Sequence, residues 1–154
     1  MIITRTPFRI SFFGGGTDYP VWYREHGGVV LSTSINKYCY ITVRHLPPLF
    51  PYKYRIRYTH QEEVMSLVNI KHPSVRACLD YMQFGETPIE MQHNADLPAM
   101  IGLGSSSSFT VGFLHALYAM LGEKVSKQQL AEVAIHIEQE RVGENVGSQD
   151  QAIA

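Results

Sequence analysis

Gly102-Leu103-Gly104, followed at once by Ser105, Ser106, Ser107 and Ser108, is the chemically richest stretch of this 154-residue chain. Two glycines two apart let the backbone approach a ligand closely and adopt dihedrals that other residues avoid. The four serines add hydroxyls and backbone N–H groups. Phe109, Phe113, Leu117 and Met120 then recur at helical spacing, which predicts a helix over 105–121. A glycine turn that opens a helix aims free N–H groups and the positive end of the helix dipole at one spot. Such a spot suits an anion such as a nucleotide phosphate.

The loop fits neither common nucleotide pattern. A Walker A loop needs a lysine after its last glycine, and none follows Gly104. A dinucleotide loop needs a third glycine three residues on, where Ser107 stands. The plain alternative is a serine-capped helix that binds nothing, but one serine suffices for a cap.

Two other segments carry candidate chemistry. Near the N-terminus, Thr6-Pro7-Phe8-Arg9 leads through an apolar run to Gly14-Gly15-Gly16-Thr17-Asp18-Tyr19. Near the C-terminus, Ile137-Glu138-Gln139-Glu140-Arg141-Val142-Gly143 precedes Gly147-Ser148-Gln149-Asp150-Gln151. An arginine, several carboxylates and a phosphate loop are what phosphoryl transfer needs: a phosphate cradle, a metal ligand and a group that orients or deprotonates a hydroxyl.

With Leu97-Pro98-Ala99-Met100-Ile101 before it, the glycine loop resembles the ATP loop of the GHMP kinases. The two outer segments resemble that family's substrate and acidic segments, in the same order. The resemblance covers essentially the whole chain. It implies an α+β fold of the ribosomal protein S5 domain 2-like class, a mixed sheet packed with helices. Kinases of this family are two-domain proteins about twice this long. Residues 1–154 therefore match the N-terminal ATP-binding domain, and the C-terminal domain is expected to be missing.

The resemblance also distributes roles. ATP falls to Gly102, Leu103, Gly104, Ser105, Ser106, Ser107 and Ser108. Mg²⁺ falls to Ser106 and Glu138, with Glu140 the competing carboxylate. Asp150 becomes the catalytic base and Arg9 the cation that orients it. Gly15, Gly16, Thr17 and Asp18 become the substrate segment. Galactokinases read Gly-Glu-His-Thr-Asp-Tyr there, so Gly15 and Gly16 replace two sugar contacts. The triple glycine is similar to the D-glycero-D-manno-heptose 7-phosphate kinase branch, which phosphorylates the anomeric hydroxyl. Fucose kinases share a related element. A substrate phosphate would need a basic partner, for which Arg24, Lys37 and Arg44 are candidates. A nucleotide- or sugar-binding module without stand-alone catalysis is the alternative. Met100-Ile101 departs from the small residues usual in that loop and should alter packing behind it.

Composition sets bounds on the elements that must hold these groups. At 45% hydrophobic, the chain can bury one core. A net charge of −1 without a basic run gives no reason to expect nucleic acid. No apolar run reaches spanning length, so no membrane is expected. Cys39 and Cys78, without a secretion signal, fit a reduced cytoplasmic chain. The small-molecule partners expected are ATP and a sugar phosphate; homo-oligomerisation is open.

Strands are predicted over 2–13, 29–34, 37–44, 54–59 and 88–93, with 54–59 an exposed one. Helices are predicted over 20–26, 61–69, 73–84, 105–121 and after Ser126, whose spacing to Gln129 matches a capping box. The histidines lack metal spacing, His93 reads as structural and the tyrosines as strand packing.

Overall fold

The computed structural model describes residues 1–98 and 101–154. The packing expected around Met100 lies outside the described residues. Five strands form one sheet in the order β1-β2-β5-β3-β4. They are β1 (Ile2–Phe13), β2 (Leu31–His45), β3 (Tyr54–Arg57), β4 (Gln61–Val64) and β5 (Ile89–Ala95). Neighbours are antiparallel except β3 and β5, which run parallel. Five helices accompany it: α1 (Pro20–His26), α2 (Pro73–Tyr81), α3 (Ser105–Leu121), α4 (Lys127–His136) and α5 (Gln149–Ile153). This is the mixed α+β arrangement the sequence implied.

Alternation along the central strands decides which face is covered. Cys39, Ile41 and Val43 of β2 and Ile89 and Met91 of β5 are wholly buried. They meet Phe113, Leu114 and Leu117 of α3 in the core. At roughly 25 cal/mol per Å² of apolar surface removed from water, this layer is the main driving force for folding. The Thr4 hydroxyl donates to the Gly112 carbonyl at 2.8 Å, tying α3 to β1. That contact holds the middle of α3 against the strand that carries Arg9.

Several expected elements take another form. The runs at 29–34 and 37–44 join into the single strand β2. The helix expected over 61–69 is strand β4 followed by a 3₁₀ turn at Leu67–Asn69. Pairing of Ile56 with Glu62 in an antiparallel ladder overrides the local helical pattern. Glu62 is buried, and its carboxylate accepts the backbone N–H groups of Lys71 and His72. Strand β3 is not exposed as expected, because Tyr54 and Ile56 lie in the core. The capping box begins as predicted: Ser126 Oγ accepts from the Gln129 N–H at 3.1 Å.

Beyond α4 the helix widens into a π segment at Ile137–Val142, closed by Gly143. Wide turns of this kind are rare and concentrate at functional sites. This one carries Glu138. Among the described residues no helix is long and apolar enough to cross a membrane. Both cysteines are free and buried, and burial pushes the Cys39 thiol up to about 12.

Candidate active site

The three segments singled out in the sequence converge near the start of α3. Arg9 leaves β1 at an irregularity, where pairing with β2 shifts register between Pro7 and Arg9. Its Nε lies 2.5 Å from Asp150 Oδ1 and its Nη2 donates to Oδ2 at 2.9 Å. Its Nη1 donates to the Gly102 carbonyl at 2.7 Å, and its backbone N–H to the Leu103 carbonyl at 3.2 Å. One arginine thus holds both the glycine loop and the C-terminal aspartate. Two parallel N–H···O bonds fix the plane of the carboxylate as well as its position.

Gly104 caps α3 in the left-handed conformation, with φ of 73°. A Cβ there would stand 3.1 Å from Asp150 Oδ2. Only glycine meets both demands at little cost. No side chain caps the helix. The Ser107 hydroxyl donates instead to Glu138, and the Ser108 hydroxyl to the Pro7 carbonyl. The first helical bond runs from the Ser108 N–H to the Gly104 carbonyl. The N–H groups of Ser105, Ser106 and Ser107 are thus left at the helix start, which also presents the positive end of its dipole.

Glu138 is fully buried behind this turn. Ser107 Oγ lies 2.8 Å from its Oε2, and Gln151 Nε2 also donates there. Its Oε1 has no partner among the described residues. Burial pushes the Glu138 carboxyl above its ordinary range, against the pull of polar contacts from Thr110, Ser107 and Gln151. An unpartnered buried carboxylate oxygen beside serine hydroxyls is the hard-oxygen donor set that Mg²⁺ takes. Ser106, expected to share the metal, is exposed, and Ser107 is the serine that contacts Glu138. Glu140 points elsewhere and pairs with His136 at 3.1 Å.

Asp18 is buried and turned toward α5 rather than left free. Its Oδ1 accepts from the Gly16 N–H and its Oδ2 from the Gln149 N–H, at 3.0 and 3.1 Å. A Cβ on Gly147 would collide with it at 1.8 Å. The Thr17 hydroxyl donates to the Gly14 carbonyl at 2.7 Å, closing the glycine turn. A Cβ on Gly15 would stand 3.8 Å from Gln149 Nε2 and 3.9 Å from Ser11 Oγ. A concavity of about 410 Å³ runs from Arg9 along Ser11 and Gly15 to Gln149.

Two features escaped the sequence reading. Tyr58, His72, His93 and Phe109 form an aromatic cleft of about 240 Å³ beside Ser105 and Ser106. His72 stacks on Phe109 with ring centres 4.8 Å apart, and His93 meets its edge at 5.2 Å. Burial pushes both imidazoles below their ordinary range. Four separate stretches of the chain contribute, so no local pattern announced the cleft. The second is Gln151, whose buried amide reaches Glu138. Arg44, a candidate for a substrate phosphate, is instead paired with Glu90. It lies ten positions along β2 from Ser34, the partner of Arg9, or about 30 Å away at ~3.3 Å per residue.

A glycine-turn helix, a clamped aspartate and a buried glutamate on a mixed sheet define a GHMP-type fold. The sequence profile of the GHMP kinases N terminal domain matches residues 73–154. The chain belongs to the GHMP kinase family. It is 29% identical over 164 residues to a D-glycero-alpha-D-manno-heptose 7-phosphate kinase of Campylobacter jejuni, covering 99% of this chain and 48% of that protein. Its fold is similar to the crystal structure of a D-glycero-D-manno-heptose 1-phosphate kinase from B. thetaiotaomicron (TM-score 0.87, 22% identity, 99% of this chain and 52% of that one). It is also similar to a Streptococcus pneumoniae phosphomevalonate kinase in complex with phosphomevalonate and AMPPNP (TM-score 0.76, 19% identity, 98% and 46%). The chain spans about half the length of the relatives it matches.

Proposed function

We propose that this chain is the N-terminal ATP-binding half of a sugar kinase. The reaction is transfer of the γ-phosphoryl group of Mg-ATP to the anomeric hydroxyl of a sugar or sugar phosphate. D-glycero-D-manno-heptose 7-phosphate leads as substrate and the 1,7-bisphosphate as product. The carrying observation is the three-way tie among Arg9, Asp150 and the loop at Gly102–Gly104. It sets a carboxylate against a phosphate-binding turn.

In this reading the N–H groups of Ser105–Ser107 take the nucleotide phosphates. The base lies in the aromatic cleft of Tyr58, His72, His93 and Phe109. Asp150 accepts the proton of the sugar hydroxyl through a lone pair that Arg9 leaves free. The sugar oxygen forms a bond to the γ-phosphorus as the bond to the β-phosphate oxygen breaks. Arg9 holds the carboxylate in line and adds positive charge beside the transferring group. Glu138 Oε1 and the Ser106 hydroxyl would hold Mg²⁺, while Ser107 and Gln151 fix the other oxygen of Glu138. The ion, when bound, neutralises charge on the phosphates.

A second domain belongs over the end of the β1–β2 pair. Phe13 (73% exposed) faces Leu31 (58% exposed) across that pair, and Val29 and Phe12 extend the apolar surface. Apolar surface of this kind marks an interaction site. A cytoplasmic location accompanies the use of ATP and two reduced thiols.

The test is ADP release from Mg-ATP against heptose 7-phosphate, mannose, fucose, galactose and no sugar. Release with one sugar alone supports the reading and names the substrate. Nucleotide binding with silence across the panel, also in a chain extended to the length of its relatives, favours a binding module without catalysis.

A further inference from the structure

We propose that Gln149 is the residue that selects the sugar, by offering its side-chain amide to two neighbouring substrate hydroxyls. The proposal rests on the sugar-kinase reading above and deepens it.

Two concavities meet at this side chain. One, of about 410 Å³, holds Arg9, Ser11 and the glycine turn. The other, of about 480 Å³, holds Thr17, Asp18, Tyr23 and Ser148. Among the described residues, Gln149 is the one that lines both. The first of these concavities also holds Arg9, whose guanidinium clamps Asp150.

Its polar atoms are arranged for a ligand. Oε1 is buried and finds no donor among the described residues. A buried acceptor without a donor costs about 1–3 kcal/mol, and such groups in native folds call for an explanation. Nε2 stands 3.8 Å from the place a Cβ on Gly15 would occupy, so the amide faces a wall with no side chain. Ser11 Oγ borders the same space at 3.9 Å. A carboxamide supplies one acceptor and two donors side by side. Adjacent sugar hydroxyls supply the complementary pair.

The backbone under Gln149 is held firmly. Asp18 Oδ2 accepts its N–H at 3.1 Å, and the Asp18 carbonyl accepts from the Ser148 N–H at 3.2 Å. Asp18 therefore acts here as a positioning residue for Gln149. Pre-organised amides of this kind give selectivity, because a substrate lacking the hydroxyl leaves them buried and unpaired.

The experiment uses the protein as expressed from its own gene. ADP release is measured for wild type, Gln149→Met and Gln149→Glu with the sugar panel and with deoxy analogues of the sugar that is turned over. The expected result for Gln149→Met is a sugar KM raised about 10- to 100-fold, with the KM for ATP within about twofold of wild type. One deoxy analogue should be penalised in wild type and not in Gln149→Met. A merely structural role would leave that second pattern unmoved. Thermal melting of each variant checks folding, and the deoxy series on wild type stands even where a variant melts early. Sugar turnover with a KM and deoxy pattern indifferent to Gln149 overturns this assignment and leaves the kinase reading intact. Nucleotide binding with no sugar-dependent release from the wild-type protein overturns both.

Discussion

Arg9 and Asp150, 141 positions apart in sequence, form a two-point pair at 2.5 and 2.9 Å. The same guanidinium reaches the Gly102 carbonyl at 2.7 Å. The pair is only partly shielded, with side chains 13% and 23% exposed. The fork fixes the plane of the carboxylate as well as its position. Arg9→Lys keeps the charge and loses the fork. Sugar-dependent ADP release should fall about 10²-fold, as a displaced catalytic group implies, with nucleotide affinity changed far less. Steady-state rates and a nucleotide titration check both halves of this expectation.

Asp150→Asn keeps the shape and removes the proposed base. Turnover should drop by roughly 10²- to 10⁴-fold while ATP still binds. A rate equal to wild type would assign the proton transfer elsewhere.

Gly104→Ala places a methyl group against Asp150 and forces a left-handed alanine. The strain is about 1–2 kcal/mol, small enough to leave the domain folded. Chemical denaturation should show a loss of that size, and turnover should fall by more than the stability change explains. Equal and trivial effects on both would separate Gly104 from Asp150.

Glu138, the proposed metal ligand, also bears on stability. Its carboxyl is pushed up by burial, so the folded chain binds a proton more tightly than the unfolded one. The sign follows: stability tied to this group is present below the unfolded value and is lost as pH rises through the folded one. Glu138→Gln should therefore raise the melting temperature at pH 7.5 in EDTA, with the gain shrinking toward pH 4.5. The same change should weaken the Mg²⁺ dependence of nucleotide binding. Melting curves at the two pH values, read beside a Mg²⁺ titration, decide it.

His72 and His93 work in the opposite sense. Both are pushed down by burial, so the unfolded chain binds protons more readily. Their contribution is present above the ordinary imidazole value of about 6.5 and is lost as pH falls below it. The melting temperature should decline between pH 7.5 and 5.5. A His72→Gln, His93→Gln double variant should flatten that decline. An unchanged slope would assign it to other groups.

Local chemistry was legible from residue order. The glycine turn before α3, the helix over 105–121, the Ser126 cap and the strand 2–13 each follow from short-range rules of backbone freedom, apolar spacing and capping. The glycine–serine loop stood out by its residue types, and the two outer segments by their resemblance to the GHMP kinases. Residues 61–69 went the other way, since a ladder with β3 and a buried carboxylate on Lys71 and His72 outweighed local preference.

Tertiary structure alone decided which groups meet. That Arg9 also reaches the Gly102 carbonyl, that Ser107 rather than Ser106 touches Glu138, and that Asp18 turns onto Gln149 are long-range contacts. The aromatic cleft draws on four separate stretches of the chain. Sequence spacing cannot encode such meetings, because they depend on how α3 and α5 settle on the sheet. The sequence by itself determined which chemistry the chain carries. Packing of the helices on β1 and β2 determined where that chemistry is brought together.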